Sequence, residues 1–170
     1  MSESAIEKLV IEKMEKDHME KLYDSRNPLV RFVCNKRLDA IIKAIPKKEN
    51  LKILDAGCGE GQLLLKIVKA GQRERERELY GTDMTPVAIE SAKERVKGVD
   101  FSLQNLRNLN YEDNFFDVVI CTEVIEHISD YQEAIKELKG VLKKDGLLII
   151  TFPNEPLAIF CRLIFLENQP

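Results

Sequence analysis

Apolar positions recur at helical spacing along the first part of the chain. From about Glu3 to Tyr23, apolar side chains lie three or four residues apart among many Glu and Lys residues, which predicts an amphipathic helix with a solvated outer face. Asn27-Pro28 interrupts this pattern, and a second helix is predicted from about Leu29 to Ile45. Both helices precede the first predicted strand. We therefore expect residues 1–46 to form a helical cap on a domain that spans residues 47–170.

The rest of the chain alternates short apolar runs with helical patterns. Near-continuous apolar runs are typical of strands buried on both faces of a parallel sheet. Five such runs predict strands at Ile53–Leu54, Leu79–Thr82, Val99–Leu103, Phe116–Cys121 and Leu147–Phe152. A helix is predicted from about Asp130 to Leu142, and Lys143–Gly146 is predicted to be a turn. The alternation predicts an α/β fold in which helices cover both faces of an open, mainly parallel sheet.

The first strand runs directly into a glycine-rich turn. Asp55 ends the apolar run, and Gly57, Gly59 and Gly61 follow at alternate positions. Glycine adopts backbone angles that other residues avoid, and without a Cβ it lets a ligand approach the backbone closely. A helix is predicted to begin next, so the unpaired amide groups of its first turn would point into the loop. The turn therefore predicts a ligand site at the end of this strand.

The expected sheet brings polar residues from several strands to the same place. Ligands of open parallel sheets lie beyond the carboxyl ends of the strands, where Asp55, Asp83, Asn105-Leu106 and Thr122-Glu123 would meet. A carboxylate at the end of the second strand can accept hydrogen bonds from both hydroxyls of a ribose, and Asp83 has this position. Alternatively, Asp83 is an ordinary turn residue or helix N-cap.

Composition narrows the classes of partner. The chain of 170 residues is 44% hydrophobic, enough for the core of one domain, and carries a formal net charge of −3 with a pI of about 5.6. No global basic field therefore indicates a nucleic acid or an anionic membrane. The four cysteines are far apart and form no metal-type cluster, and no apolar run could span a bilayer. We expect a cytoplasmic protein with reduced thiols and no transmembrane segment.

Several ordered segments resemble one enzyme family. The spacing Gly57-x-Gly59-x-Gly61 after Asp55 differs from the dinucleotide-binding fingerprint, which has two residues between its second and third glycines. It resembles the loop of class I S-adenosylmethionine-dependent methyltransferases, whose fold is Rossmann-like. Segments 80–86, 114–119 and 142–148 are similar to later motifs of the same family and occur in the family's order. The resemblance spans about Leu51 to Phe152.

The resemblance implies a cofactor, S-adenosylmethionine, and a role for each matching residue. Asp83 would bind the ribose hydroxyls, and Met84 would pack on the adenine. Asn105 stands where the family usually has an Asp that accepts from the adenine amino group, and an Asn carbonyl accepts without the charge. Leu106 would offer its backbone amide, so its side chain should matter little. The other implied cofactor-binding residues, most of them around the methionine moiety, are Asp55, Gly57, Cys58, Gly59, Gly61, Gln62 and Thr122.

The segment Glu123-Val124-Ile125-Glu126-His127 is the candidate for catalysis and has three interpretations. It is similar to the Glu-x-x-Glu-His segment of quinone-ring O-methyltransferases and of small-RNA 2′-O-methyltransferases, in which these side chains hold a divalent metal ion. A second interpretation makes Glu123 or His127 a general base or substrate contact without a metal. In the third, Glu126 and His127 are solvated residues at the start of a helix, and only the backbone near Glu123 touches the cofactor. We expect Glu126 and His127 one helical turn after Glu123, on about the same face.

The acceptor is predicted only by class. An Asn-Pro-Pro-Tyr-like segment, typical of adenine and glutamine N-methyltransferases, is absent after the fourth strand, where Cys121-Thr122-Glu123-Val124 stands. We therefore expect methylation of an oxygen or nitrogen of a small molecule, lipophilic acceptors included, and no methylation of DNA. Small-RNA methylation is an alternative tied to the metal interpretation. A further alternative is a cofactor-binding but inactive regulatory or assembly subunit.

The end of the chain differs from the family pattern. After Phe152, apolar residues from Leu157 to Leu166 predict one more helix, and no sequence follows for the last strands of the seven-stranded family sheet. We expect either that the chain is truncated, which we favour, or that a homo-oligomeric partner covers the open sheet edge.

Overall fold

A computed structural model of the chain describes residues 28–71 and 77–152. The helices are α1 (Pro28–Ala44), α2 (Gln62–Lys69), α3 (Pro86–Arg95) and α4 (Tyr131–Val141). The strands are β1 (Lys52–Ala56), β2 (Glu78–Asp83), β3 (Asp100–Leu103), β4 (Phe116–Thr122) and β5 (Leu142–Thr151). The predicted helices at 3–23 and 157–166 lie outside the described residues.

The strands form one parallel sheet in the order β3-β2-β1-β4-β5. The strand order reverses between β1 and β4, the central pair, so this junction is the place where an open parallel sheet binds its ligands. Every strand ends at the same edge of the sheet. The predicted α/β fold with helices on both faces is therefore confirmed.

Side chains alternate between two cores along each central strand. In β1, Ile53 belongs to the core under α1, α2 and α3, whereas Leu54 belongs to the core under α4 and the connection from β3 to β4. Neither side chain is accessible to solvent. Burial on both faces explains why these strands lack the apolar–polar alternation of a one-sided sheet.

The α1 helix lies on the first of these cores. Its side chains Leu38, Ile41 and Ile45 are buried there, so the described part of the predicted cap packs against the sheet. Arg77 helps to fix the connection from α1 to β1, because its guanidinium donates to the carbonyl oxygen of Pro46 at 2.6 Å. Arg77 is buried, although it belongs to a run of alternating charges, Arg73 to Glu78, whose composition is typical of a solvated segment.

The start of β5 differs from its prediction. Lys143–Gly146 was expected to be a turn, but β5 begins at Leu142, which pairs with Phe116, and the register shifts before Val118 pairs with Leu147. An ion pair accompanies the irregularity: Lys143 Nζ lies 2.8 Å from Asp117 Oδ1. The polar segment therefore continues the strand, with its irregularity opposite Asp117.

The connection from β3 to β4 contains no helix. It packs as an irregular segment on the second core, where Tyr80, Tyr111, Phe115 and Phe116 form a cluster of ring contacts with centroids 4.9–6.4 Å apart. Across the described ranges, no helix is both long enough and apolar enough to traverse a bilayer.

Candidate functional site

The carboxyl ends of β1 and β2 hold the glycine turn in place. Gly57, Gly59 and Gly61 have φ angles of 81°, 50° and 77°, in the left-handed region that favours glycine. The amides of Gly57 and Cys58 both donate to the carbonyl oxygen of Thr82, at 2.7 and 2.9 Å. Gly61 is also the N-cap of α2, so the first amides of that helix, beginning at Gln62, face the space beyond the strand ends. We call this space the crevice.

Asp83 lies at the end of β2, as predicted, and its carboxylate organises the turn. One oxygen accepts from the Gly59 amide and the other from the Thr85 amide, each at 2.9 Å. The carboxylate therefore joins the glycine turn to the start of α3. Each oxygen keeps a further lone pair for a ligand hydroxyl. The turn role of Asp83 and its predicted ribose role are compatible.

Two exposed apolar side chains flank Asp83. Met84 follows it in sequence and is 40% exposed, and Leu103, its neighbour in β3, is 55% exposed. Exposed apolar surface at a ligand site favours a flat, apolar group such as a base. The sequence analysis predicted Met84 as a ligand contact but did not predict Leu103, because an apolar residue at the end of a strand is usually interpreted as a core residue.

Asp55 is a buried carboxyl group beside the glycine turn. Burial raises its pKa to about 7, and the neighbouring charge of Asp83 contributes to the shift. Burial together with the charges of Asp55 and Asp83 also raises the pKa of Cys58 well above its ordinary value, and burial raises that of Cys121 to about 12. Both cysteines therefore remain thiols at neutral pH. The crevice has a negative field that a cationic ligand would relieve.

Glu60, which the sequence analysis did not single out, anchors the glycine turn. The residue is 2% exposed, and its carboxylate forms an ion pair with Arg95, at 3.3 Å, on the last turn of α3. The same guanidinium nitrogen approaches the Glu60 carbonyl oxygen at 3.4 Å. A Cβ at Gly61 would lie 3.3 Å from Ala92 and Val96, so α3 packs directly on the turn. No local sequence pattern indicates this pair.

Asn105 and Leu106 follow β3 as predicted, but both have structural roles as well. The Asn105 side-chain oxygen accepts from the Arg107 amide at 3.0 Å, which closes a local turn. The Leu106 side chain is buried in the second core. Our expectation that this side chain should matter little is therefore wrong for packing, whatever its backbone amide binds.

Glu123 has an unusual backbone and a partner from the cap. Its φ of 53° is left-handed, a conformation that costs a non-glycine residue about 1–3 kcal/mol. Its amide donates to the Thr151 carbonyl oxygen at 3.1 Å, and its carboxylate forms an ion pair with Arg37 of α1. Glu123 is therefore held between α1 and the end of β5. Arg37 is 86 residues away in sequence and was not predicted.

Glu126 and His127 belong to a short element that does not include Glu123. A short 3-10 helix covers Ile125–His127, and both side chains are exposed. The left-handed residue at 123 lies before this helix, so the expected common helical face does not form. Among residues 28–71 and 77–152, no three His, Cys, Asp or Glu side chains are grouped as metal ligands. The three-ligand group of the metal interpretation is therefore not assembled.

Three threonine hydroxyls at the strand ends lack hydrogen-bond partners within the described ranges. They belong to Thr82, Thr122 and Thr151, and each oxygen is buried. A buried hydroxyl without a partner costs about 1–3 kcal/mol. Thr122 was predicted as a cofactor contact, whereas Thr82 and Thr151 were not. All three indicate polar chemistry that a ligand could complete.

These residues fit the chemistry of S-adenosylmethionine. Its positive charges would relieve the repulsion between Asp55 and Asp83, and its ribose hydroxyls could donate to Asp83. Its adenine would find apolar surface at Met84 and Leu103.

Comparison with known proteins identifies the group to which this arrangement belongs. The sequence profile of a family described as a methyltransferase domain matches residues 47–165. The chain is 32% identical to a ubiquinone biosynthesis O-methyltransferase of Rickettsia felis over 156 residues, which cover 89% of this chain and 63% of that protein. It is 27% identical to the ubiquinone/menaquinone biosynthesis C-methyltransferase UbiE of Campylobacter jejuni over 86% of this chain and 66% of that protein.

A solved structure supports the fold comparison. The PH0226 protein of Pyrococcus horikoshii superposes with a TM-score of 0.70 at 26% identity, over 88% of this chain and 67% of that one. The chain thus spans somewhat less than two thirds of the Rickettsia relative and about two thirds of the Pyrococcus protein. The resemblance to class I methyltransferases is confirmed.

Proposed function

The chain belongs to a family of methyltransferase domains, and from that premise we propose that it transfers a methyl group from S-adenosylmethionine to an oxygen atom of a small acceptor molecule. The observation that carries the proposal is the buried Asp55 carboxyl beside Asp83 and the glycine turn, because it gives the crevice a negative field suited to a sulfonium cation. The relative from Rickettsia felis is named as an O-methyltransferase, which supports oxygen as the acceptor atom.

The cofactor would be held by residues from four strand ends. We assign the methionine moiety to Asp55, Gly57, Cys58, Gly59, Gly61 and Gln62, with Thr122 beside them. We assign the ribose to Asp83, and the adenine to Met84, Leu103, Asn105 and the Leu106 amide. When bound, S-adenosylmethionine supplies a methyl group on a positively charged sulfur, so the protein contributes position and electrostatics.

The acceptor side of the reaction would depend on Glu123 and His127. A hydroxyl acceptor must lose its proton as its oxygen gains the methyl group, and a positioned base adds roughly 10²- to 10⁴-fold to the rate. The Glu123 carboxylate lies at the end of β4, and His127 is exposed beyond it. Positioning of the two reactants contributes more, since effective molarities for oriented groups reach about 10⁵ M or above.

Calorimetric titration with S-adenosylmethionine and S-adenosylhomocysteine tests the first half of the proposal. We expect saturable binding of both, and we expect Asp55→Asn to weaken S-adenosylmethionine more than S-adenosylhomocysteine, because only the former carries the sulfonium charge. Equal loss for both ligands would remove Asp55 from contact with that charge. No binding of either ligand to the folded protein would refute the proposed function.

Product analysis tests the second half. After incubation with methyl-labelled cofactor and a set of phenols, the label should appear as a methyl ether. Label on a ring carbon would assign carbon methylation, as the name of the Campylobacter relative suggests for that protein. Cofactor binding without transfer to any acceptor would favour the inactive regulatory subunit.

A further inference from the structure

The side chain of Asn105 is part of the turn that follows β3. Its Oδ1 accepts from the Arg107 amide at 3.0 Å, and its main-chain oxygen accepts from the Asn108 amide at 2.9 Å. A backbone amide only donates, so the side-chain atom that faces the Arg107 amide is the oxygen. The nitrogen Nδ2 is bonded to the same carbon and points in a different direction. The oxygen is therefore engaged within the turn, and the nitrogen is the polar atom left for a ligand.

Two hydrogen-bond donors follow one another in this segment. In the described part of the chain, neither Asn105 Nδ2 nor the backbone amide of Leu106 has an acceptor. Asn105 is half-buried, and Leu103, two residues earlier, is 55% exposed, so a ligand can reach the segment. The Gln104 amide donates to the Asp83 carbonyl oxygen at 2.9 Å, which joins the segment to the end of β2. Both donors therefore border the apolar surface that is assigned to the adenine.

We propose that Asn105 sets the base specificity of the cofactor site, because it presents its amide nitrogen as a donor to the 6-substituent of the bound purine. This inference rests on the proposed function, which assigns the adenine to this segment. The 6-amino group of adenine is itself a donor, so it gains no hydrogen bond from Nδ2. A 6-oxo group accepts from Nδ2. The site should therefore discriminate only weakly between a 6-amino and a 6-oxo purine.

The Leu106 amide keeps the preference from reversing. The ring nitrogen next to the 6-amino group of adenine is an acceptor, and it can accept from this amide. In hypoxanthine, the 6-oxo purine, the same nitrogen carries a hydrogen and would meet the amide as a second donor. Each base thus satisfies one of the two donors and leaves the other without an acceptor. Neither base gains a hydrogen bond over the other.

Asn105→Asp tests the proposal because the two side chains have nearly the same shape. The carboxylate keeps an acceptor for the Arg107 amide and replaces Nδ2 with a second, charged acceptor. Calorimetry measures the affinities of S-adenosylhomocysteine and of S-inosylhomocysteine, in which an oxygen replaces the 6-amino group. In the wild-type protein the two dissociation constants should agree within about threefold, less than the effect of one hydrogen bond. Asn105→Asp should prefer S-adenosylhomocysteine by about tenfold or more, because the 6-amino group gains a charged acceptor.

Asn108→Asp is the matched control. It adds the same charge to the same turn, but at an exposed residue that contributes only its backbone amide to the turn. This variant should keep the ratio of affinities of the wild-type protein. The proposal is overturned if the wild-type protein already prefers S-adenosylhomocysteine by about tenfold or more, since the Asn105 oxygen would then accept from the base. It is also overturned if Asn105→Asp and Asn108→Asp give the same ratio. Failure of the wild-type protein to bind either ligand would instead reject the proposed function.

Discussion

The Asp83 side chain joins the proposed cofactor loop to the start of α3. It holds the Gly59 and Thr85 amides and is assigned to the ribose, so Asp83→Asn should weaken S-adenosylhomocysteine binding. Loss of a charged acceptor costs about 1.5–3 kcal/mol, or roughly tenfold or more in the dissociation constant. Calorimetry measures this loss. Asp100→Asn, an exposed carboxylate at the start of β3, should change nothing. If Asp83→Asn binds S-adenosylhomocysteine with unchanged affinity, Asp83 does not contact the ribose.

Asp55 makes stability depend on pH. Its pKa is about 7 in the folded protein, whereas an unfolded carboxyl titrates near pH 4. Between these values the folded state keeps a proton that the unfolded state releases. The free energy of unfolding should therefore fall as pH rises from about 4 to about 7, by at most ~1.4 kcal/mol per pH unit. Urea unfolding at a series of pH values measures the slope.

Asp55→Asn should flatten the dependence of the free energy of unfolding on pH, and above pH 7 it should be more stable than the wild-type protein.

Asp117 provides the opposite case. Burial opposes its ionisation, but hydrogen bonds from Lys143 and the Lys52 amide outweigh burial and lower its pKa. Its stabilisation is lost only as pH falls below about 4, so the two effects occupy different pH ranges. A wild-type slope that survives in Asp55→Asn would assign the titration to another group.

Sequence reasoning placed single residues well where their roles are local. Asp55, Asp83 and the glycines follow directly from strand ends and turn geometry. Arg95 and Arg37 were missed because their partners, Glu60 and Glu123, lie 35 and 86 residues away. Charged residues on amphipathic helices are usually solvated, so a pattern along the chain cannot distinguish the few that turn inward.

Two glycines in regular elements should respond oppositely to alanine. In β2, a Cβ at Gly81 would lie 2.7 Å from the Phe101 ring and 2.9 Å from Leu64, so Gly81→Ala should destabilise the protein by about 1–3 kcal/mol. In α4, a Cβ at Gly140 would come no closer than 3.8 Å to Asp113, so Gly140→Ala should add about 0.5–1 kcal/mol. Thermal unfolding measures both. A Gly81→Ala variant as stable as the wild-type protein would contradict the packing of Phe101 and Leu64 on β2.

At the level of elements, each predicted strand and helix within the described residues exists, and the main difference is one boundary. The polar residues of Lys143–Gly146 suggested a turn because their composition is typical of one. These residues form part of β5 instead, because they pair with β4: Phe116 pairs with Leu142, and Asp117 forms an ion pair with Lys143. Pairing partners are distant in sequence, so local composition could not predict where β5 begins.

Across the whole molecule, cofactor binding should be coupled to stability. The proposed contacts come from the ends of several strands, which assemble only in the folded state. S-adenosylhomocysteine at 100 times its dissociation constant should therefore raise the free energy of unfolding by about 2.7 kcal/mol. Unfolding curves at increasing ligand concentration measure this rise. In Asp83→Asn, the same increase in the free energy of unfolding should require a ligand concentration higher by the factor by which the dissociation constant rises. An increase that does not depend on ligand concentration would exclude coupling of binding to folding.

The fold class of the described residues was predictable from alternating strands and helices, because right-handed crossovers leave few arrangements. The surroundings of Glu123 were not. The sequence singled out Glu123, but its partner Arg37 lies on α1, 86 residues away, and looks ordinary in sequence. The division of 1–46 from 47–170 and the homo-oligomer at the sheet edge stay predictions.

The ion pair between the buried Glu60 and Arg95 holds the glycine turn against α3. A loop fixed in this way has little rearrangement left to make when a ligand arrives. In stopped-flow experiments, the observed rate of S-adenosylhomocysteine binding should rise linearly with ligand concentration, without a plateau. Variants that bind more weakly should differ mainly in their dissociation rate constants. A plateau would show that the turn must open before the ligand enters.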